Sequence, residues 1–229
     1  MQDGAMIPTG PQALFSRKGR NDRAMPDAAP PQDPMAGRIA RFADLKRHGI
    51  PVMFIDSIIP GHHRMNYSVI GDTASENPDF EPLITEPHKF QIGMFEAPPG
   101  NGPGWHTHEY VELFVPLTGS WRFCWGLDPD DPDDLVGESV LEPWDAISFP
   151  PALWRRFENV SETNSWGFAV LDPHTHFTGP DPQWPQWMVE DARRLGLSTD
   201  SHGKLIKPDN FAELEAEVQA KLREAAVGV

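Results

Sequence analysis

Between residues 51 and 178 the apolar residues fall into short runs, "VMFIDSII" (52–59), "FQIGMFEA" (90–97), "VELFVPL" (111–117), "SWRFCWG" (120–126), "AISF" (146–149), "WRRFENV" (154–160) and "WGFAVLD" (166–172), separated by clusters of Pro, Gly, Asn and Asp. Short strands at close spacing predict an antiparallel sandwich or barrel. The stretch "GLDPDDPDD" at 126–134 is too acidic and proline-rich to continue a strand and reads as an exposed excursion from a hairpin. Outside this block the period changes. Ile39, Phe42 and Leu45 recur every three residues and predict a short helix within 38–48. After residue 180 the pattern is helical. One segment, 185–196, has Pro185 near its start and Gly196 as a stop; another, 209–226, has Asp209 as its expected N-cap and Phe211, Leu214, Val218 and Leu222 along one face. The first forty residues, with "PDAAPPQDPMAG" at 26–37, read as an extended arm. The expected organisation is therefore an arm with a short helix over 1–48, a β domain over 49–180 and a helical extension over 181–229.

Composition narrows the function. The formal net charge is −15, and residues 1–50 hold eight basic against five acidic side chains, which leaves eleven against twenty-nine in the remainder. So acidic a body argues against nucleic acid and anionic membrane surfaces as partners. The single cysteine, Cys124, excludes an intrachain disulfide. No run approaches the roughly 20 apolar residues of a membrane span, and the N-terminal residues do not read as a signal peptide, so a cytoplasmic location is expected.

Candidate chemistry concentrates at "GWHTHEYVE", residues 104–112. On a strand, positions 106, 108, 110 and 112 share a face, which groups His106, His108, Tyr110 and Glu112. Two neutral imidazoles and a carboxylate suit Fe(II), Mn(II), Ni(II) or Zn(II). Tyr110 on that face could serve as an acid. Six residues before His106 stands Gly100 and seven after Glu112 stands Gly119, giving G-x5-H-x-H-x3-E-x6-G. That string resembles the first motif of the cupins. The second cupin motif, G-D-x4-P-x-G-x2-H-x3-N, is similar to "WDAISFPPALWRRFEN" at 144–159: Asp145, Pro150 and Asn159 match, Trp144 and Ala152 stand in place of the glycines, and Arg155 stands where the family has its last metal-binding histidine.

The resemblance covers roughly residues 50–178. It implies an all-β, cupin-type jelly-roll β-barrel, with the arm and C-terminal helices outside it, a divalent metal ion on His106, His108 and Glu112, and a homodimer. Arginine offers donors only and cannot ligate a metal. Three outcomes stay open for Arg155. It flanks a three-ligand metal and clamps an anionic substrate; another histidine, with His174 and His176 best placed and His88, His62 and His63 further candidates, replaces the lost ligand; or Arg155 pairs with Glu112 and no metal binds. Trp121, Phe123 and Trp125 alternate on one strand, and Trp125 and Trp154 are the aromatic candidates for a cavity wall facing an apolar or aromatic ligand. The leading expectation is an Fe(II) dioxygenase acting on a small aromatic or enolisable carboxylate held by Arg155. The alternatives are a non-oxidative isomerase, lyase or cyclase, and a metal-free binding protein.

Overall fold

The alternating runs become two antiparallel sheets in a computed structural model of the chain, which describes residues 33–71, 75–128, 130–131, 135–172 and 179–227. The strands are β1 Met65–Ile70, β2 Gln91–Ala97, β3 Glu112–Pro116, β4 Trp121–Gly126, β5 Leu135–Leu141, β6 Ile147–Phe149, β7 Trp154–Asn159 and β8 Ser165–Leu171. All lie in one compact unit, Met35–Val229; over residues 1–32 the expected arm lies outside the described residues. The larger sheet has the order β1-β2-β8-β3-β6 and the smaller β5-β4-β7. No helix among the described residues is long and apolar enough to cross a membrane.

Inward-facing rings hold the two sheets together. Phe114 of β3 packs against Phe123 of β4 at 5.0 Å and Phe157 of β7 at 5.1 Å between centroids, and Phe95 of β2 meets Trp121 of β4 edge-on at 5.2 Å. Tilted and edge-on geometry is what the ring quadrupoles favour. Among the described residues no continuous ladder closes the sheets into a barrel. They are joined instead at one corner, where His106 pairs with Arg155 across an isolated bridge (N···O 2.9 and 3.0 Å). The arrangement is that of a cupin-type jelly roll.

One expected strand needs correction, and one helix is shorter than expected. "VMFIDSII" forms a 3-10 turn at Ile55–Ile58, because its side chains are buried on every side rather than on alternate faces. The predicted helix within 38–48 is a single turn, α1 Phe42–Leu45. Two strands go unsignalled in the sequence. Strand β5 is an edge strand whose residues are mostly exposed, and β1 turns Asn66 and Ser68, both buried, toward the interior instead of aliphatic side chains.

The helical extension forms α2 Gln186–Arg194 and α3 Phe211–Val227, with a two-stranded ribbon, β9 Ser198–Thr199 and β10 Leu205–Ile206, between them. It does not stand apart from the β domain. Met188 and Ala192 of α2 and Phe211, Val218 and Leu222 of α3 share one buried cluster with Val52, Ile55, Ile58 and Trp105.

All four glycine positions of the two-part motif adopt left-handed backbone: Gly100 (φ 69°), Trp144 (76°), Gly119 (64°) and Ala152 (62°). A side chain there is held against its steric preference at about 1–2 kcal/mol. Trp144→Gly and Ala152→Gly are therefore each expected to stabilise the fold by about 0.5–1 kcal/mol after the entropic cost of glycine, read as a rise in the denaturation midpoint.

Candidate metal centre

The segment that carries the histidines is pinned from two sides. His106 is bridged to Arg155 of β7, and Thr107 exchanges backbone hydrogen bonds of 3.0 and 2.9 Å with Gln183. The carbonyl of His108 accepts from the amide of Ala152 at 2.8 Å. Only at Glu112 does regular strand begin, yet His106, His108, Tyr110 and Glu112 are all buried, as a shared inward face requires.

Within that face the ligand atoms of His106, His108 and Glu112 lie within 4.8 Å of one another. Both imidazoles are fixed through Nδ1. That of His106 lies 2.7 Å from the carbonyl of Gly104, so it donates and leaves the Nε2 lone pair free. That of His108 lies 2.5 Å from Oδ1 of Asp181. The two Nε2 atoms stand 3.8 and 4.0 Å from Oε2 of Glu112. Burial pulls the pKa of His106 below its ordinary value, which keeps it in the neutral form that ligates metal. The donor set and its spacing fit a divalent ion, with the outer hydrogen bonds that metal-binding histidines ordinarily have.

Asp181 is the member that spacing in the sequence could not reveal. It reaches the site because Gln183, two residues on, pairs with Thr107. Its second carboxylate oxygen accepts the hydroxyl proton of Tyr110, whose ring stacks on His108 at 5.1 Å. Burial, followed by the charge of Asp181, raises the pKa of Tyr110 well above its ordinary value. Tyr110 therefore orients Asp181 and His108, and it is not among the residues that line the cavity.

Arg155 is wholly buried and points at Glu112. Its Nε and Nη2 donate to Oε2 of Glu112 at 3.1 and 3.0 Å, and its Nη1 donates to the Leu153 carbonyl at 3.0 Å and to Oγ1 of Thr107 at 3.3 Å. Burial alone would raise the pKa of Glu112, but the charge of Arg155, with help from the two histidines, holds it far below the usual carboxylate range. The expectation that Arg155 clamps a substrate anion meets a different geometry, since its guanidinium is engaged by the protein and does not line the cavity.

The cavity beside the triad has a volume of about 80 Å3. His106, His108 and Glu112 form part of its wall, and Met53, Phe54, Met94, Phe95, Phe157, Leu171 and Trp184 are among its apolar lining. Trp184, 5.7 Å from the ring of His106, is anchored by its Nε1 on Glu76 at 2.6 Å, the carboxyl that also accepts from the amide of Ile55 at 2.7 Å. Trp125 and Trp154 do not line the cavity: Trp125 packs on the rings between the sheets and Trp154 on the cluster under the helices. His62, His63 and His88 bond to the carbonyls of Gly102, Ser57 and Glu86 and take no part in the triad. His174 and His176 lie outside the described residues.

No family model matches the sequence, and no curated protein matches it. Solved structures similar to the chain include a cupin 2 conserved barrel domain protein from Rhodopseudomonas palustris (14% identity, 58% of this chain and 74% of that one, TM-score 0.37) and a cupin-2 domain protein from Rhodospirillum rubrum (12%, 68% and 79%, 0.37). The DMSP lyase DddQ from Ruegeria pomeroyi is another, at 15% identity over 53% of this chain and 52% of that one, with a TM-score of 0.38. Likeness of this degree decides nothing about the chain. The cupin-type character of the chain is carried by its own strand order, motif spacing and inward-facing triad.

Outer hydrogen bonds of this kind typically contribute tenfold to hundredfold in metal affinity. Asp181→Ala is expected to weaken Zn(II) binding by about that factor in a chelator competition, while the far-ultraviolet circular dichroism stays that of the wild type.

Proposed function

We propose that this chain is a metal-dependent enzyme that acts on a small, largely apolar molecule in the cavity beside the triad. The observation that carries the reading is the convergence of two tautomer-fixed imidazoles and one carboxylate, all buried and with ligand atoms within 4.8 Å of one another, on the wall of a cavity. His106, His108 and Glu112 would hold the ion. Fe(II) is the favoured ion and an oxygenase the favoured class, because three protein ligands leave coordination positions for dioxygen and substrate. Bound there, Fe(II) would allow dioxygen to react with an organic substrate, the substrate itself being what is oxidised.

The chain's own residues do the rest. Asp181 and the Gly104 carbonyl hold the two rings in the ligating tautomer. Rings and thioethers of the wall, Phe54, Phe95, Phe157, Met53 and Met94, exclude bulk water and accept an apolar body. Arg155 keeps Glu112 ionised whether or not a cation is near. With Arg155 turned away from the cavity, the substrate's body is held by shape and apolar contact rather than by an ion pair.

The test is metal analysis of protein purified without a metal-affinity tag and loaded anaerobically with Fe(II), followed by oxygen-electrode assays against a panel of small aromatic and enolisable compounds. One equivalent of iron in the wild type, its loss in His106→Ala and Glu112→Ala, and substrate-dependent oxygen uptake are expected. Absence of stoichiometric metal overturns the reading. Turnover supported by Zn(II) or Ni(II) without oxygen uptake replaces the oxygenase by a non-oxidative lyase or isomerase.

A further inference from the structure

A row of inward side chains crosses the larger sheet at the level of the triad. Glu112 of β3 pairs with Leu171 of β8, and Leu171 pairs on its other side with Gln91 of β2. Residues in register on neighbouring strands present side chains to the same face, and strands are spaced about 4.8 Å apart, so Gln91 stands about 10 Å from Glu112 with Leu171 as the floor between them. Leu171, Gln91 and the triad all line the cavity, and Gln91 is 3% exposed. A molecule lying over Leu171 would meet the triad at one end and the Gln91 amide at the other.

We propose that Gln91 is the specificity residue of the cavity, and that it recognises a neutral hydroxyl or carbonyl group at the end of the substrate remote from the triad. The inference rests on the functional reading above and adds to it the chemistry of the ligand's far end.

Charge argues for a neutral group. Arg64 is the only permanent cation among the described residues of the wall, and it is engaged on all sides: Nη1 and Nη2 donate to the two oxygens of Asp56, each at 2.9 Å, Nη1 also to the His62 carbonyl at 2.9 Å, and Nε to Oδ1 of Asn66 at 3.1 Å. Asp56 neutralises it at contact distance, so a ligand carboxylate would enter a buried space with no unmatched positive charge, which is strongly unfavourable. A glutamine amide, with two N–H donors and a carbonyl bearing two lone pairs, can both donate to and accept from a neutral group, and an internal partner does not exhaust it. Amid Phe95, Met94 and Leu171 such an amide also discriminates. A ligand of equal shape without the polar group would leave it less well satisfied, whereas apolar contact alone separates such ligands weakly.

The experiment uses the metal-free full chain, so that its result is independent of whether and which metal binds. Phenol, toluene and benzoate are titrated against the wild type, Gln91→Leu and the similarly sized Gln91→Met, with binding read from ligand-observed nuclear magnetic resonance and folding from thermal melts. Phenol is expected to bind the wild type about tenfold more tightly than toluene, the equivalent of about 1.4 kcal/mol, and benzoate to bind most weakly. In whichever variant melts cooperatively the phenol preference should vanish or reverse. Benzoate binding as tightly as phenol, no measurable phenol binding, or an unchanged phenol-to-toluene ratio in a folded variant each overturns the proposal.

Discussion

The site is organised around a buried ion pair, Arg155 with Glu112. Two charged groups have been taken out of water, and attraction between them offsets that cost only if their remaining hydrogen-bonding capacity is also met. Here it is met locally: the Leu153 carbonyl and Thr107 hydroxyl accept from Nη1, and the guanidinium lies 5.7 Å from the centroid of Phe149. The pair couples β7 to β3 and so fastens the smaller sheet to the larger. It also fixes what the triad can do. The charge of Arg155 favours the ionised form of Glu112, and Nε2 of two imidazoles stands 3.8 and 4.0 Å from it. Any cation that entered would share that carboxylate with a resident positive charge.

The rest of the scaffold serves this arrangement. The His106–Arg155 bridge sets the first ligand against the strand that carries the arginine, and the Thr107–Gln183 bridge brings Asp181 to His108 and Trp184 to His106. The chain beyond the sheets thus supplies an outer partner to one ligand and part of the cavity wall. Trp184 in turn is anchored by Glu76, whose buried carboxyl has its pKa raised to about 8 by desolvation. A buried polar scaffold, Asp56, Arg64, Asn66 and Glu76, underlies one side of the cavity.

Much of this was legible in the residues. Local spacing is what a strand-borne ligand set requires, and His106, His108 and Glu112 converge as G-x5-H-x-H-x3-E-x6-G implies. The register of the second motif holds even where its residues depart. Trp144 and Ala152 keep left-handed backbone, and Asn159 ties β7 to the Ala97 and Thr163 carbonyls at 2.9 and 2.8 Å. Of the three outcomes open for Arg155, the geometry contains the pairing with Glu112. What stayed hidden depends on long-range partners or on polar burial. Asp181 has meaning only through its pairing segment, β1 turns Asn66 and Ser68 inward and breaks the apolar alternation, and "VMFIDSII" is apolar because it is enclosed on all sides. Trp125 and Trp154 illustrate the converse: alternation puts a ring inside, but tertiary packing decides whether inside means core or cavity.

On this geometry Arg155 and an entering metal ion would compete for the one charge of Glu112. Thermal melts of the wild type and Arg155→Met, each with and without Zn(II), test it directly. Without metal the variant should melt lower, since an unpaired buried charge costs about 3–5 kcal/mol. Added Zn(II) should then raise the midpoint of the variant more than that of the wild type, through tighter binding to the native state. An equal shift in both proteins, or no shift in either, would contradict the account.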